Sequence, residues 1–263
     1  MSPPADDGEC LEVESNSIHF KDSGGGPPSF LCLHGLVDDV SIWDRVAVPL
    51  GRLGRVVRMD QRGHGTSDAP PGPYPREALA DDVVALLDGR GIDRAVLVGH
   101  SMGGIVAMTT ALEHPERVAG LVLLGTASQC SERVAQWYER IAVAGEEGGA
   151  AGLARAIYGD ETHKRIAGDA RGIAHVTRTL KSLHDDPLTP KLTHIGCPVL
   201  LLVGEKDHMG PHASEIIARA LPEGRARLEV LPERGHWLHV EAPDAVIEAL
   251  DRWLGDARIG KPT

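Results

Sequence analysis

A doubly wound α/β architecture, with a mostly parallel sheet and one helical insertion, is the fold class that this sequence predicts. Short, near-continuous apolar runs recur along the chain, as strands buried on both faces require. Stretches with apolar residues at helical spacing separate these runs, and strands alternating with helices build a doubly wound sheet. One interval, from about Ser128 to Pro187, breaks the alternation with helical pieces and no convincing strand.

Residues 1–10 read as a frayed tail. Phe30-Leu31-Cys32-Leu33 is the first clear strand and runs into His34-Gly35. Val56-Val57-Arg58-Met59-Asp60 is the next, and it precedes a polar, glycine-rich loop reaching Asp68. Arg76 to Leu87 places Leu79, Val83, Leu86 and Leu87 on one helical face. Ala95-Val96-Leu97-Val98 ends at Gly99, and a helix from Ile105 to Leu112 stops before Pro115. Leu121-Val122-Leu123-Leu124 is followed by Gly125. After the interval come Pro198 to Val203, a helix from Ser214 to Leu221, and Leu228 to Leu231. The expected division is a core of residues 11–127 and 188–258 with a helical cap insertion at 128–187.

The chain has 263 residues, 42% hydrophobic and 25% charged, which places it among ordinary globular proteins. Its net charge of −11 argues against a nucleic-acid partner, because that affinity comes largely from cations neutralising phosphates. No apolar run is long enough to span a membrane. The acidic start lacks the basic and apolar regions of a secretion signal. Cys10, Cys32, Cys130 and Cys197 are too scattered for a zinc ribbon or a disulfide framework, so a cytoplasmic location is expected. No Gly-x-Gly-x-x-Gly or Walker lysine follows a strand, and no cofactor is expected. Asp207-His208 with His212, or His236 with His239, are the only sets suggesting a metal. Pro211 interrupts the first set, other roles explain both, and no metal is expected.

The chemistry centres on Gly99-His100-Ser101-Met102-Gly103-Gly104. A strand ends at its first residue and an apolar helix begins after its last. So sharp a strand-to-helix turn lifts the Ser101 hydroxyl above the sheet, and Gly99 and Gly103 keep its flanks free of side chains. An ordinary glycine-rich loop is the plainer alternative. A serine hydroxyl needs a base to take its proton. His236, in the loop after a late strand, is the candidate, with His239 in reserve. His100 is expected to point away from the serine, and His34 and His64 to shape loops. Asp207, just after the strongest late strand, is the carboxylate to orient the base, with Glu205 as the alternative. The backbone N–H groups of Met102 and Leu36 are the candidate oxyanion donors.

With these residues in place, the chain resembles the α/β-hydrolase superfamily along nearly its whole length. His34-Gly35, the stretch from Asp60 to Asp68, the turn at Ser101, and Gly235-His236-Trp237-Leu238-His239-Val240-Glu241 are all similar to recurrent stretches of that family. The chain order Ser101, Asp207, His236 is also the order known for that family, so its agreement belongs to the resemblance. The run from Arg58 to Thr126 most resembles the branch of 3-oxoadipate enol-lactone hydrolases, carboxylesterases and cofactor-free haloperoxidases. The resemblance implies an eight-stranded, mostly parallel sheet with a helical cap after the sixth strand. Ser101 stands where some relatives use aspartate, which removes dehalogenase and epoxide-hydrolase chemistry.

The expected activity is hydrolysis of a small ester, lactone or thioester through an acyl-enzyme on Ser101, with a small acyl substrate as the partner. The same residues also suit acyl transfer, perhydrolysis, C–C cleavage or a cyclisation, since the fold does not fix the reaction. A non-catalytic ligand-binding protein is the remaining alternative. Within the insertion, Trp137 and Tyr138 are the expected pocket walls. Arg133, Arg140, His163, His175 and Arg178 are further candidates, an inward arginine being suited to clamp a substrate carboxylate. The arginine and aspartates between Asp60 and Asp68 are expected to brace their loop.

Overall fold

A computed structural model describes residues 8–13, 16–159 and 165–259. The alternation of apolar runs becomes strands β1 (Glu9–Val13), β2 (Asn16–Asp22), β3 (Ser29–Leu33), β4 (Arg55–Met59), β5 (Ala95–His100), β6 (Val118–Leu124), β7 (Val199–Gly204) and β8 (Ala226–Leu231). The helices are α1 (Asp44–Leu50), α2 (Arg76–Gly89), α3 (Met102–Glu113), α4 (Glu132–Tyr158), α5 (Ala170–Lys181), α6 (Gly210–Ala220), α7 (Leu238–Glu241) and α8 (Pro243–Ala257). The sheet order is β1-β2-β4-β3-β5-β6-β7-β8. Only the β1–β2 and β2–β4 pairs are antiparallel. From β4 to β8 all pairs are parallel.

Side chains alternate across the strands and feed two cores. Leu31, Leu33, Leu97, Leu121, Leu123 and Leu201 pack on one face with residues of α2, α3 and α6. Phe30, Cys32, Val98, Val122, Leu200 and Leu202 pack on the other against α1, α7 and α8. Both faces are dry, which is why these strands read as unbroken apolar runs. β8 is an edge strand with only intermediate or exposed positions.

Glu9 and Cys10 correct the expected tail. They pair with Phe20 and His19 as the start of an edge strand, where the ladder satisfies their backbone groups. Residues 1–7 of that tail lie outside the described residues.

Between β6 and β7 the described chain contains α4 and α5 and no strand. The α4–α5 pair is tied to two core loops through residues 167–169. Ala167 N–H donates to the Val37 carbonyl at 2.9 Å, and Asp169 N–H donates to the Gly63 carbonyl at 3.0 Å. Val37 has φ 65°, an unusual conformation for a β-branched residue. It is held there by packing against Ile141, Leu153 and Ile173 of the helix pair.

The loop from Asp60 to Asp68 is a brace, as expected. Asp60 accepts from Val40 N–H at 2.7 Å and Thr66 N–H at 3.0 Å, and pairs with His19 at 2.7 Å. Arg62 grips both oxygens of Asp82 at 2.5 and 2.6 Å. No described helix is long and apolar enough to cross a membrane.

Candidate active site

The loops after β5, β7 and β8 converge at the carboxyl ends of the parallel strands, where open α/β sheets place their crevices. Ser101 directly follows β5 with φ 49° and ψ −114° and serves as the N-cap of α3. This non-glycine residue at positive φ is the strained turn that the sequence predicts. A side chain at Gly103 would strike the carbonyl of Leu33, and one at Gly99 the backbone of Gly103 and Gly104. Glycine is therefore required where α3 passes over β3 and β5. The serine is fixed by its own backbone. Its N–H donates to the Leu124 carbonyl at 2.9 Å, and its carbonyl accepts from the Thr126 hydroxyl at 2.6 Å.

Asp207 and His236 meet across the loops after β7 and β8. His236 Nδ1 lies 2.9 Å from Asp207 Oδ2, with the side chains only 6% and 0% exposed. Nδ1–H is then the donor, which leaves Nε2 free to accept a proton. The second Asp207 oxygen accepts from Met209 N–H at 2.9 Å. Burial alone would push the Asp207 carboxyl up. The hydrogen bond and charge of His236, with the Met209 N–H, hold it below the usual carboxylate range.

One short segment ties this pair to the serine. Leu124 and Thr126 hold the Ser101 backbone, and between them Gly125, at φ 50°, packs against the pair. A Cβ there would lie 2.7 Å from Asp207 Oδ2 and 3.1 Å from His236 Nδ1. The His236 loop is held from below as well. Glu241 accepts from Gly235 N–H at 2.7 Å and Trp237 N–H at 3.1 Å, and His100 Nε2 hydrogen-bonds the His236 carbonyl at 3.1 Å.

Ser101 and His236 line the same cavity of about 900 Å³, together with Leu36, Trp137 and Tyr138. Met102 is buried at the first position of α3, where a backbone N–H has no intrahelical acceptor. The positive end of the α3 dipole lies beneath the serine.

The alternatives lie elsewhere. His239 is fully buried, with ring centroids 4.5 Å from Trp43 and 4.5 Å from His100, and burial pushes its pKa down to about 3. Glu205 is exposed and accepts from Glu233 N–H at 3.0 Å. His34 spans the Gly35 carbonyl at 2.8 Å and Gln61 N–H at 3.0 Å, and His64 packs on it with centroids 5.1 Å apart.

No arginine is found among the described residues that line the cavity. Arg178 turns to α4 instead, 3.2 Å from Glu139 and 2.8 Å from Glu146, while Arg133 and Arg140 are exposed. Opposite charges across the α4–α5 contact hold Arg178 there. His175 packs on Tyr74 with centroids 5.0 Å apart, and His163 lies outside the described residues.

Ligand atoms of Asp207, His208 and His236 lie within 4.8 Å of one another. Asp207 and His236 already use theirs on each other, which fits a hydrogen-bonded pair better than a metal centre.

Sequence reasoning misses Asp38, Thr126 and the bracing role of Glu241, and it reads His208 only as a metal candidate. The His208 ring meets His236 edge-on with centroids 4.3 Å apart and lines the cavity. Thr126 is within reach of the sequence, since it follows Gly125 at the end of a buried strand, as Ser101 follows His100.

Residues 30–249 match the model of the alpha/beta hydrolase family. A 3-oxoadipate enol-lactonase of Acinetobacter baylyi is 30% identical over 261 residues, 92% of this chain and 95% of its own. The crystal structure of an enol-lactonase from Burkholderia xenovorans superposes with a TM-score of 0.84 at 28% identity, covering 94% of this chain and 100% of that one. A thermophilic esterase from Thermogutta terrifontis gives 0.82 at 28% identity, covering 92% and 94%. On this family match, and on an eight-stranded sheet of the same topology class as these neighbours, the chain belongs to the alpha/beta hydrolase family of enzymes.

Proposed function

We propose that this enzyme is a serine hydrolase that cleaves a small ester, lactone or thioester through an acyl-enzyme on Ser101. The observation that carries the reading is the buried 2.9 Å contact of Asp207 with His236, on the cavity that Ser101 also lines. His236 Nε2 takes the hydroxyl proton as Ser101 Oγ attacks the substrate carbonyl. Asp207 stays ionised, holds the imidazole in its tautomer and stabilises the imidazolium. The Leu36 and Met102 N–H groups receive the developing oxyanion, each contributing roughly 3–4 kcal/mol in the transition state. His236 then gives its proton to the leaving oxygen or sulfur. Water repeats the sequence to release the acid and free Ser101.

In this reading α4 and α5 are a cap whose Trp137 and Tyr138 form the acyl pocket wall, and the partner is a small acyl substrate. The enol-lactonase and esterase relatives support carbonyl substrates of this kind. The free thiols of Cys10, Cys32, Cys130 and Cys197 suit a reducing compartment, and a cytoplasmic location is part of the proposal.

The test is Ser101→Ala against a panel of chromogenic esters and lactones. Turnover is expected to fall by up to about a millionfold. Near-native hydrolysis by the variant would show the mechanism to be wrong.

A further inference from the structure

The cavity carries a charged group that the mechanism leaves unused. Asp38 follows the proposed oxyanion donor Leu36 by two residues and lines the same cavity as Ser101 and His236. One of its carboxylate oxygens lies 3.2 Å from where a Cβ on Gly35 would sit, so it stands over the root of that loop. Trp237, the neighbour of His236, lines the cavity with Asp38. The nearby cation, Arg165, is 70% exposed and is bound to Asp39 at 2.7 Å. No Lys or Arg side chain is among the described residues lining the cavity.

The cavity thus holds one carboxyl group and no fixed cation among its described lining. His208, which also lines the cavity, does not reverse that sign. Burial and the neighbouring His236 push the His208 pKa down, which keeps its ring neutral at alkaline pH. Burial, with Asp39 close by, pushes Asp38 up to about 7, against the Arg165 charge. It is therefore ionised by about pH 8. A second carboxylate brought into this half-buried space meets like charge with little water to screen it. An ammonium group there gains a partner.

We propose that Asp38 is the specificity-determining residue of the cavity, selecting acyl substrates that carry an ammonium group and rejecting those that carry a carboxylate. This rests on the cavity being the substrate site, as the proposed function has it, but not on Ser101 being acylated.

The experiment uses matched ligands on Ser101→Ala protein at about pH 8: ethyl β-alaninate, ethyl butanoate and monoethyl succinate, titrated by NMR. They differ only in an ammonium, methyl or carboxylate end. The expected order of affinity is ammonium, neutral, carboxylate, with about a hundredfold between the extremes. Asp38→Asn on the same background is expected to shrink that spread below about tenfold. Three outcomes would each overturn the proposal: carboxylate binding as tight as ammonium binding with Asp38 present, an unchanged spread in Asp38→Asn, or no measurable binding of any ligand. The first needs no variant at position 38, so a folding failure there leaves the test intact. Phosphonate labelling of Ser101 in the unmodified enzyme reads the proposed function separately. Labelling without charge selection removes only the role of Asp38, and charge selection without labelling removes only the acyl-enzyme.

Discussion

The Thr126 hydroxyl donates a 2.6 Å hydrogen bond to the carbonyl of Ser101, so the segment after β6 holds the residue that follows β5. The bond lies on the backbone of the turn, where Ser101 keeps φ 49°. Thr126 is 1% exposed, and losing its hydroxyl leaves the Ser101 carbonyl with only the Gly104 N–H, 3.0 Å away, among the described residues. Thr126→Val is expected to cost about 0.5–1.5 kcal/mol in urea unfolding. It is also expected to lower kcat with KM nearly unchanged, because the serine shifts while the pocket does not. Thr126→Ser is expected to restore both. A variant that loses stability with native kcat would reduce Thr126 to a structural role.

Gly125→Ala addresses the opposite face of the same segment. Its methyl would lie 2.7 Å from Asp207 Oδ2 and 3.1 Å from His236 Nδ1, on a backbone at φ 50°. The strain costs on the order of 1 kcal/mol in stability. A displacement of the pair by about an ångström is expected to lower kcat/KM on the order of a hundredfold. The comparison of kcat/KM with the thermal midpoint checks it: activity is expected to fall far more than stability.

The buried histidines give the fold an acid limit. His239 is neutral when folded, with a pKa pushed to about 3 by burial and by the charge of nearby His236. The unfolded chain, with an ordinary value near 6.5, binds one more proton between these limits. Stability from this group is therefore complete above about pH 6.5 and is lost as pH falls toward about 3. Its slope is at most about 1.4 kcal/mol per pH unit. Both ring nitrogens lack a hydrogen-bond partner, so His239→Phe removes the titration with little lost bonding. Urea unfolding across that range is expected to show a slope shallower by about this amount. An unchanged slope would mean that His239 is charged, or reached by water, in the folded protein.

What the sequence discloses follows from burial. β3, β5, β6 and β7 are covered on both faces, so their composition alone marks them. β1 escapes this signal because Glu9, Cys10 and Glu12 face solvent on an edge strand. β2 escapes it because polar His19 and Asp22 find partners in a neighbouring loop and strand. Ser101, Asp207 and His236 are legible because each follows a strand within a few residues, where geometry leaves little choice of direction. Arg178 defeats a sequence reading because its partners Glu139 and Glu146 are more than thirty residues away in the chain and meet it only when α4 packs on α5. Asp38 escapes notice for the same reason: its significance comes from the absence of a facing cation among the described lining, which only packing reveals.

Rapid-quench mass spectrometry of the enzyme turning over a chromogenic ester tests the acyl-enzyme most directly. An adduct of the acyl group's mass is expected on the peptide containing Ser101, forming within the first turnover and disappearing as substrate is exhausted. Rapid steady-state hydrolysis with the acyl group on another residue, or with Ser101 never modified when a slowly released acyl group is used, would contradict it.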